Sequence, residues 1–245
     1  MAEFGLYLAA LPLLPRLPQG DGHPVLVLPG FLTDDASTKV LRATLRRLGY
    51  RVHGWQLGRN IGPTAACVAG MRDRIDDLSD RYGRPLSLVG WSLGGIFARD
   101  LARRTPDSVR QVVTLGSPFR LTRNSQSRAS RAFDRYSHLH VDHRSLPLEP
   151  DCSPLPVPTT SIYSHYDGIV HWQTCLETPG ERAENIAVMG SHLGLGHHPA
   201  AIWAVADRLA QPQGTWRPFK PPLFLRPAFP RPDVPTPGMG AVAAA

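Results

Sequence analysis

Leu86-Ser87-Leu88-Val89-Gly90-Trp91-Ser92-Leu93-Gly94-Gly95-Ile96-Phe97-Ala98 is the stretch that decides the fold. Leu86, Leu88 and Val89 form a short apolar run, and Ile96, Phe97, Ala98 and Leu101 return at helical spacing beyond the glycines. The segment therefore reads as a strand that turns directly into a helix over residues 93–104. A chain reversing within Gly90–Gly94 strains the residue at its apex, Ser92, and leaves its hydroxyl exposed. It also brings strand and helix so close that Cβ atoms at positions 90 and 94 would collide, with Gly95 relieving the packing further.

The same alternation extends in both directions. Val25-Leu26-Val27-Leu28, ended by Pro29-Gly30, reads as a strand buried on both faces. Val40, Leu41, Thr44, Leu45 and Leu48 then recur at helical spacing before the stop at Gly49. Residues 51–56 read as a strand, 64–81 as a helix, 109–115 as a strand, 159–164 and 186–188 as further strands, and 200–209 as the last helix. Strands alternating with helices of this length predict an α/β fold, with a mainly parallel sheet covered by helices on both faces.

Three units follow: an N-terminal apolar segment over 1–23, an α/β domain over 24–210, and a proline-rich tail over 211–245. Nine prolines fall in that tail, which is not expected to pack as a domain, although Trp216, Phe219 and Phe224 are placed to pin its first half to the body. Within the domain the alternation stops at about 120–158, an insertion long enough to serve as a lid. With 245 residues, 42% of them hydrophobic and 19% charged, the chain has ample material for one core, and disorder or a disulfide miniprotein is excluded.

The net charge of +7 is local. Residues 120–144 hold six Arg against two Asp, and the tail holds three Arg and one Lys against one Asp, which accounts for all of it. Such a distribution argues against nucleic-acid binding, which favours a basic stripe with aromatic platforms, and suits contact of the lid arginines with an anionic lipid surface. No run approaches a membrane span, since Pro12 breaks the apolar opening Phe4–Leu14. That opening also lacks a basic start, Glu3 being its first charge, so a cytoplasmic location is expected over a secreted one. Cys67, Cys152 and Cys175 are too few for a disulfide framework, and only a Cys152–Cys175 bridge in an oxidising compartment would alter this reading.

A serine hydroxyl is a weak nucleophile at neutral pH and needs a histidine base with a group to orient it. Asp167-Gly168 is turn chemistry after the strand that begins at Thr159, and His192 lies in Gly190-Ser191-His192-Leu193-Gly194 after the strand at 186–188. Both follow Ser92 in the chain and stand at strand ends. Asp151 and Glu149 compete as the acid, and His197 and His198 as the base. The negative oxygen of a tetrahedral intermediate needs two backbone donors, which Leu93 and Phe31 are placed to supply, Gly30 allowing close approach. Leu32, Trp91, Phe119, Ile169, Val170 and Leu193 flank these positions as large apolar side chains and are candidate substrate contacts.

The Gly90-Trp91-Ser92-Leu93-Gly94-Gly95 turn, the Pro29-Gly30-Phe31 loop, the Tyr166-Asp167-Gly168-Ile169-Val170 turn and the Gly190–Gly194 loop together resemble the α/β-hydrolase superfamily, over roughly residues 24–210. The likeness is to its lipase and esterase members, although Pro-Gly stands where many have His-Gly. The resemblance implies a cofactor-free hydrolase of small-molecule or lipid carboxylic esters, with a lid between the sixth strand and the acid-bearing strand. Thioester hydrolysis or acyl transfer are alternatives on the same residues, and a non-catalytic lipid-binding module is another. A fourth rests on His138-Leu139-His140-Val141-Asp142-His143, which resembles the zinc signature of metallo-β-lactamase-fold hydrolases. An apolar strand precedes that motif in its family. Here the polar run Arg131–Ser137 does, so the segment reads as a histidine-bearing part of the lid and no metal is assigned.

Overall fold

The computed structural model describes residues 2–120, 127–141 and 154–235. Alternation along the strands divides the apolar residues between two cores. From β1 (Pro24–Leu28), Val25 and Val27 face one side of the sheet and Leu26 and Leu28 the other. The sheet is completed by β2 (Arg51–Gly54), β3 (Leu86–Trp91), β4 (Val109–Leu115), β5 (Thr159–Tyr163) and β6 (Ala183–Ala187). Its order is β2-β1-β3-β4-β5-β6, with every neighbouring pair parallel. The chain thus reverses its direction of progress between β1 and β3, the kind of switch point where open α/β sheets carry their sites.

On one face lie α3 (Ala65–Tyr82) and α4 (Leu93–Arg104), whose Met71, Ile75, Leu78, Ile96, Phe97 and Leu101 pack with Leu26, Leu28, Leu86 and Leu88. Thr64 caps α3 by accepting from the Cys67 N–H, and Gly83 ends it in the left-handed region. The other face is covered by α2 (Lys39–Arg47) and α6 (Pro199–Leu209), packed on Val25, Val27, Val89, Val113 and Ile162. Among the described residues no helix is long and apolar enough to cross a membrane.

Several expected bounds shift. β2 ends at Gly54 because the N–H groups of Trp55 and Gln56 turn to the Asp35 carboxylate, and Gln56 adopts a φ of 61°. β6 starts three residues before the apolar run, since Asn185 and Glu184 find partners of their own in Glu177 and Arg208. The insertion follows the fourth strand of six rather than the sixth, because this sheet has only four strands before the insertion. Its described part, residues 127–141, holds the short helix α5 (Ser130–Asp134) and a 3-10 turn.

The first and last described segments are folded onto the body. Residues 2–10 form a helix, α1, followed by a 3-10 helix over Leu11–Arg16, with the Tyr7 hydroxyl bonded to Thr44 at 2.9 Å. The tail reaches back through Phe219, packed on the core with Phe229, and through Phe224, edge-on to Trp203. Asp233 accepts from the Tyr163 hydroxyl at 2.7 Å. Cys67 and Cys175 are buried thiols, and Cys152 lies outside the described residues.

At the end of the sheet where β1 and β3 begin, a polar group is enclosed. His23 is fully buried, its Nδ1 at 2.5 Å from Asp21 and its Nε2 at 2.8 Å from the Ser87 hydroxyl. Burial pushes its pKa down to about 4, against the pull of Asp21. The unfolded chain takes up this proton near pH 6.5 and the folded one only near 4, so between these values acid favours the unfolded state. Stability should fall by on the order of 3 kcal/mol from this group as the pH drops across that window. Thermal unfolding from pH 7 to 4 should show a clearly shallower loss of Tm in His23→Gln than in the parent, and parallel curves would contradict the assignment.

Candidate active site

At the end of β3 the chain does what its glycines permit. Ser92 has φ 53° and ψ −120°, a conformation rarely held by any residue with a side chain. A Cβ on Gly90 would lie 2.3 Å from Gly95 Cα, and one on Gly94 would lie 2.3 Å from the Leu28 carbonyl oxygen. Both contacts are with backbone, so neither can be relieved by turning a side chain. The Ser92 N–H donates to Leu115 O at 2.8 Å, tying the turn to the end of β4. Ser92 itself is half-buried.

The loops after β5 and β6 reach the same region, against Gly116 and Trp91. Asp167, buried, follows β5 and accepts from the N–H groups of Ile169 at 3.0 Å and Val170 at 2.7 Å through Oδ1. Its Oδ2 lies 2.6 Å from His192 Nδ1. With its hydrogen on Nδ1, the imidazole donates to this carboxylate and leaves Nε2 outside the contact. The loop that carries His192 is held by its backbone: the Gly190 N–H donates to Ser164 Oγ, the His192 N–H to Asp167 O, and His192 O accepts from Trp91 Nε1 at 3.0 Å. Trp91, the residue before Ser92, therefore ties the His192 loop to the turn. Among the described residues no hydrogen bond joins Ser92 Oγ to His192.

The loop after β1 passes close to the serine, with Ser92 Cβ only 3.3 Å from where a Gly30 Cβ would stand. Leu32 takes a φ of 60° and its N–H donates to Asn60 O, while Asn60 Nδ2 donates to Pro29 O at 2.9 Å. The N–H groups of Phe31 and Leu93 have no acceptor among the described residues. Asn60 was silent in the sequence, standing in a loop with no motif around it. Gly116 was silent too. It has φ 54°, and a Cβ there would meet Asp167 Oδ2 and His192 Nδ1 at 3.1 Å and Leu195 Cδ1 at 2.8 Å.

The apolar candidates do not line one pocket. Phe31 stands with Phe133 and Tyr136 of the insertion, at ring distances of 5.3 and 6.0 Å. Trp91 is packed in the core, with Gly196 leaving room for its ring, and Phe119 lies buried beneath the Arg99 guanidinium. Val170 is buried with Tyr163 and Leu176, Ile169 partly so, and Leu193 is 65% exposed. Leu32 is half-buried in its loop.

Of the competing bases, His197 lies edge-on to Phe4, and His198 is buried at the start of α6. The competing acids Asp151 and Glu149 lie outside the described residues. So do Asp142 and His143 of the histidine motif; His140 is bonded to Ile61 O at 2.8 Å and packed on Phe133. Among the described residues no three His, Cys, Asp or Glu side chains gather as a metal site.

No family model matches the chain. Among solved structures it is similar to lipase B of Aspergillus fumigatus, with a TM-score of 0.61 and 18% identity over 78% of this chain and 53% of that one. The chain has the α/β-hydrolase fold. Two curated relatives belong with this α/β-hydrolase likeness, both named pimeloyl-[acyl-carrier protein] methyl ester esterase. That of Shewanella woodyi is 30% identical over 109 residues, covering 44% of this chain and 41% of that protein. That of Aromatoleum aromaticum is 34% identical over 101 residues, covering 32% and 40%. The matches thus span about two fifths of the length of these relatives.

Gly116 provides a test of how closely the Asp167–His192 pair depends on the end of β4. In Gly116→Ala the left-handed backbone costs on the order of 1–3 kcal/mol, and the new methyl presses on Asp167 and His192. Labelling of Ser92 by a fluorophosphonate should slow by about tenfold or more, since small displacements of reacting groups are amplified in rate. An unchanged labelling rate would show that the pair tolerates this intrusion.

Proposed function

We propose that the chain is a serine-dependent carboxylic-ester hydrolase acting on short to medium acyl esters through Ser92, His192 and Asp167. The observation that carries this reading is the buried 2.6 Å Asp167–His192 pair on the loops beside a serine held at φ 53°. The names of the two curated relatives support an ester as the substrate class.

In this account Ser92 Oγ attacks the ester carbonyl carbon while His192 Nε2 takes its proton. Asp167 keeps the imidazole in the required tautomer and favours its charged form. The oxyanion is held by the Phe31 and Leu93 N–H groups, which have no other acceptor among the described residues. Collapse breaks the bond to the alcohol, which leaves with the proton from His192. Water then attacks the acyl-serine, again through His192, and the acid is released. The serine–histidine bond closes when substrate binds, as such bonds tighten in the Michaelis complex.

The insertion acts as a lid in this reading. Its described part is pinned to the body at two points, with Val141 N–H bonded to Pro63 O and Arg128 N–H to Ile169 O. Phe133 and Tyr136 add bulk beside Phe31, which favours compact acyl groups. Arg128, Arg131 and Arg135 are exposed on it, where they can attract an anionic lipid surface.

Two outcomes are expected. Ser92→Ala should lower kcat for a p-nitrophenyl ester by at least about 10³-fold with the fold retained, because only an oxygen is removed. Persistent turnover in that variant would overturn the reading. Across p-nitrophenyl esters of graded length, kcat/KM should rise by about 0.8 kcal/mol for each methylene that is still buried and then stop. A continued rise through palmitoyl esters would point to an open acyl tunnel.

A further inference from the structure

The three N–H groups that lead into the base histidine each have a separate anchor. Gly190 donates to Ser164 Oγ at 3.2 Å, and His192 to Asp167 O at 2.9 Å. Between them the Ser191 N–H donates at 2.7 Å to Oε1 of Glu3, a residue 188 positions away in the first turn of α1. Two anchors come from the acid-bearing loop, and the third comes from a helix outside the sheet. Only the third is an ionic acceptor.

The sequence around the contact is cut to fit it. A Cβ on Gly194 would stand 2.4 Å from Glu3 Oε1 and 2.5 Å from Glu3 Cδ, and nothing else is that near. The Gly194 N–H in turn donates to Ser191 O at 3.0 Å, so the carboxylate sits against a turn that closes on itself. The Ser191 hydroxyl and N–H hold the Glu3 carboxyl below the usual carboxylate range. Its helix is fixed in place by the buried Tyr7, bonded to Thr44, and by Leu11 and Leu14 packed on the core. Phe4 lies edge-on to His197 of the same loop. Every other side chain of α1 is uncharged, and Glu3 lies half-buried against this loop.

We infer that Glu3 is a positioning residue for the base: from α1 it fixes the Ser191 N–H and so sets where the His192 imidazole stands relative to Ser92. The inference rests on the reading of His192 as the general base. It makes the N-terminal helix a working part of the site rather than a cover for the sheet. Loss of the anchor frees the Ser191 peptide while leaving both bonds to Asp167 in place. The cost should therefore appear in the chemical step and not in substrate binding.

The test uses the full chain and a p-nitrophenyl ester. Glu3→Ala should lower kcat by about tenfold with KM within about twofold, since misplacing a reacting group acts on the rate of the step. Glu3→Gln, which still offers an oxygen to the Ser191 N–H, should recover most of that loss. Gly194→Ala keeps α1 intact but puts a methyl where the carboxylate rests, so it should reproduce the Glu3→Ala defect. The double variant should be no worse than either single one, because each removes the same contact. Wild-type kcat in Glu3→Ala, or losses that multiply in the double variant, would overturn the inference. If Ser92→Ala still turns over the ester, the underlying reading fails instead; Ser92-dependent turnover unaffected by Glu3→Ala sinks the positioning role alone.

Discussion

The closeness of β3 and α4 around Ser92 is the constraint on which the rest of the molecule depends. Two neighbouring elements meet there at a separation that excludes any Cβ at Gly90 or Gly94, and the backbone of Leu28 from β1 lies against the same turn. An apex residue at φ 53° does not persist unless its surroundings hold it. The parallel sheet does so: Ser92 is bonded to the end of β4, and Leu28 and Gly90 are paired in register across β1 and β3. The apolar cores on both faces supply the free energy that keeps the strained turn in place.

A sheet built this way gathers its loops at one end. Because the six strands run parallel, the loops after β1, β3, β4, β5 and β6 open on the same edge, and the candidate residues lie within five positions of the strand ends. Phe31, Ser92, Gly116, Asp167 and His192 come from these five loops. The opposite end carries its own polar group in the exposed Asp21 and the buried His23 and Ser87, which has the composition of a relay but no accessible serine, since Ser87 is fully buried. Composition alone does not make a site; exposure of the serine separates the two.

Much of the sheet was legible because strands buried on both faces carry apolar runs, as at 25–28 and 86–89. Ser92 follows such a run directly, whereas Asp167 and His192 stand four and five residues beyond strands that mix polar and apolar residues. What escaped notice depends on contacts between residues far apart in sequence. Asn60 has meaning only through Pro29 and Leu32, Gly116 only through the pair it makes room for, and Glu3 only through Ser191. β6 was placed too late because its first residues are polar and satisfied by side chains beyond the sheet. The apolar candidates were chosen for size and nearness in sequence, which says nothing about direction: Trp91 faces the core and Leu193 faces solvent.

In the proposed mechanism Ser92 forms a covalent bond to the acyl group during turnover. Quenching the reaction with p-nitrophenyl butyrate in acid within the first turnovers, followed by peptide mass spectrometry, tests it directly. The account predicts a butyryl group on the peptide carrying Ser92, located on that serine and lost when the quench is delayed until substrate is exhausted. Ester turnover with no acyl group on the protein, or with the acyl group on another residue, would contradict it.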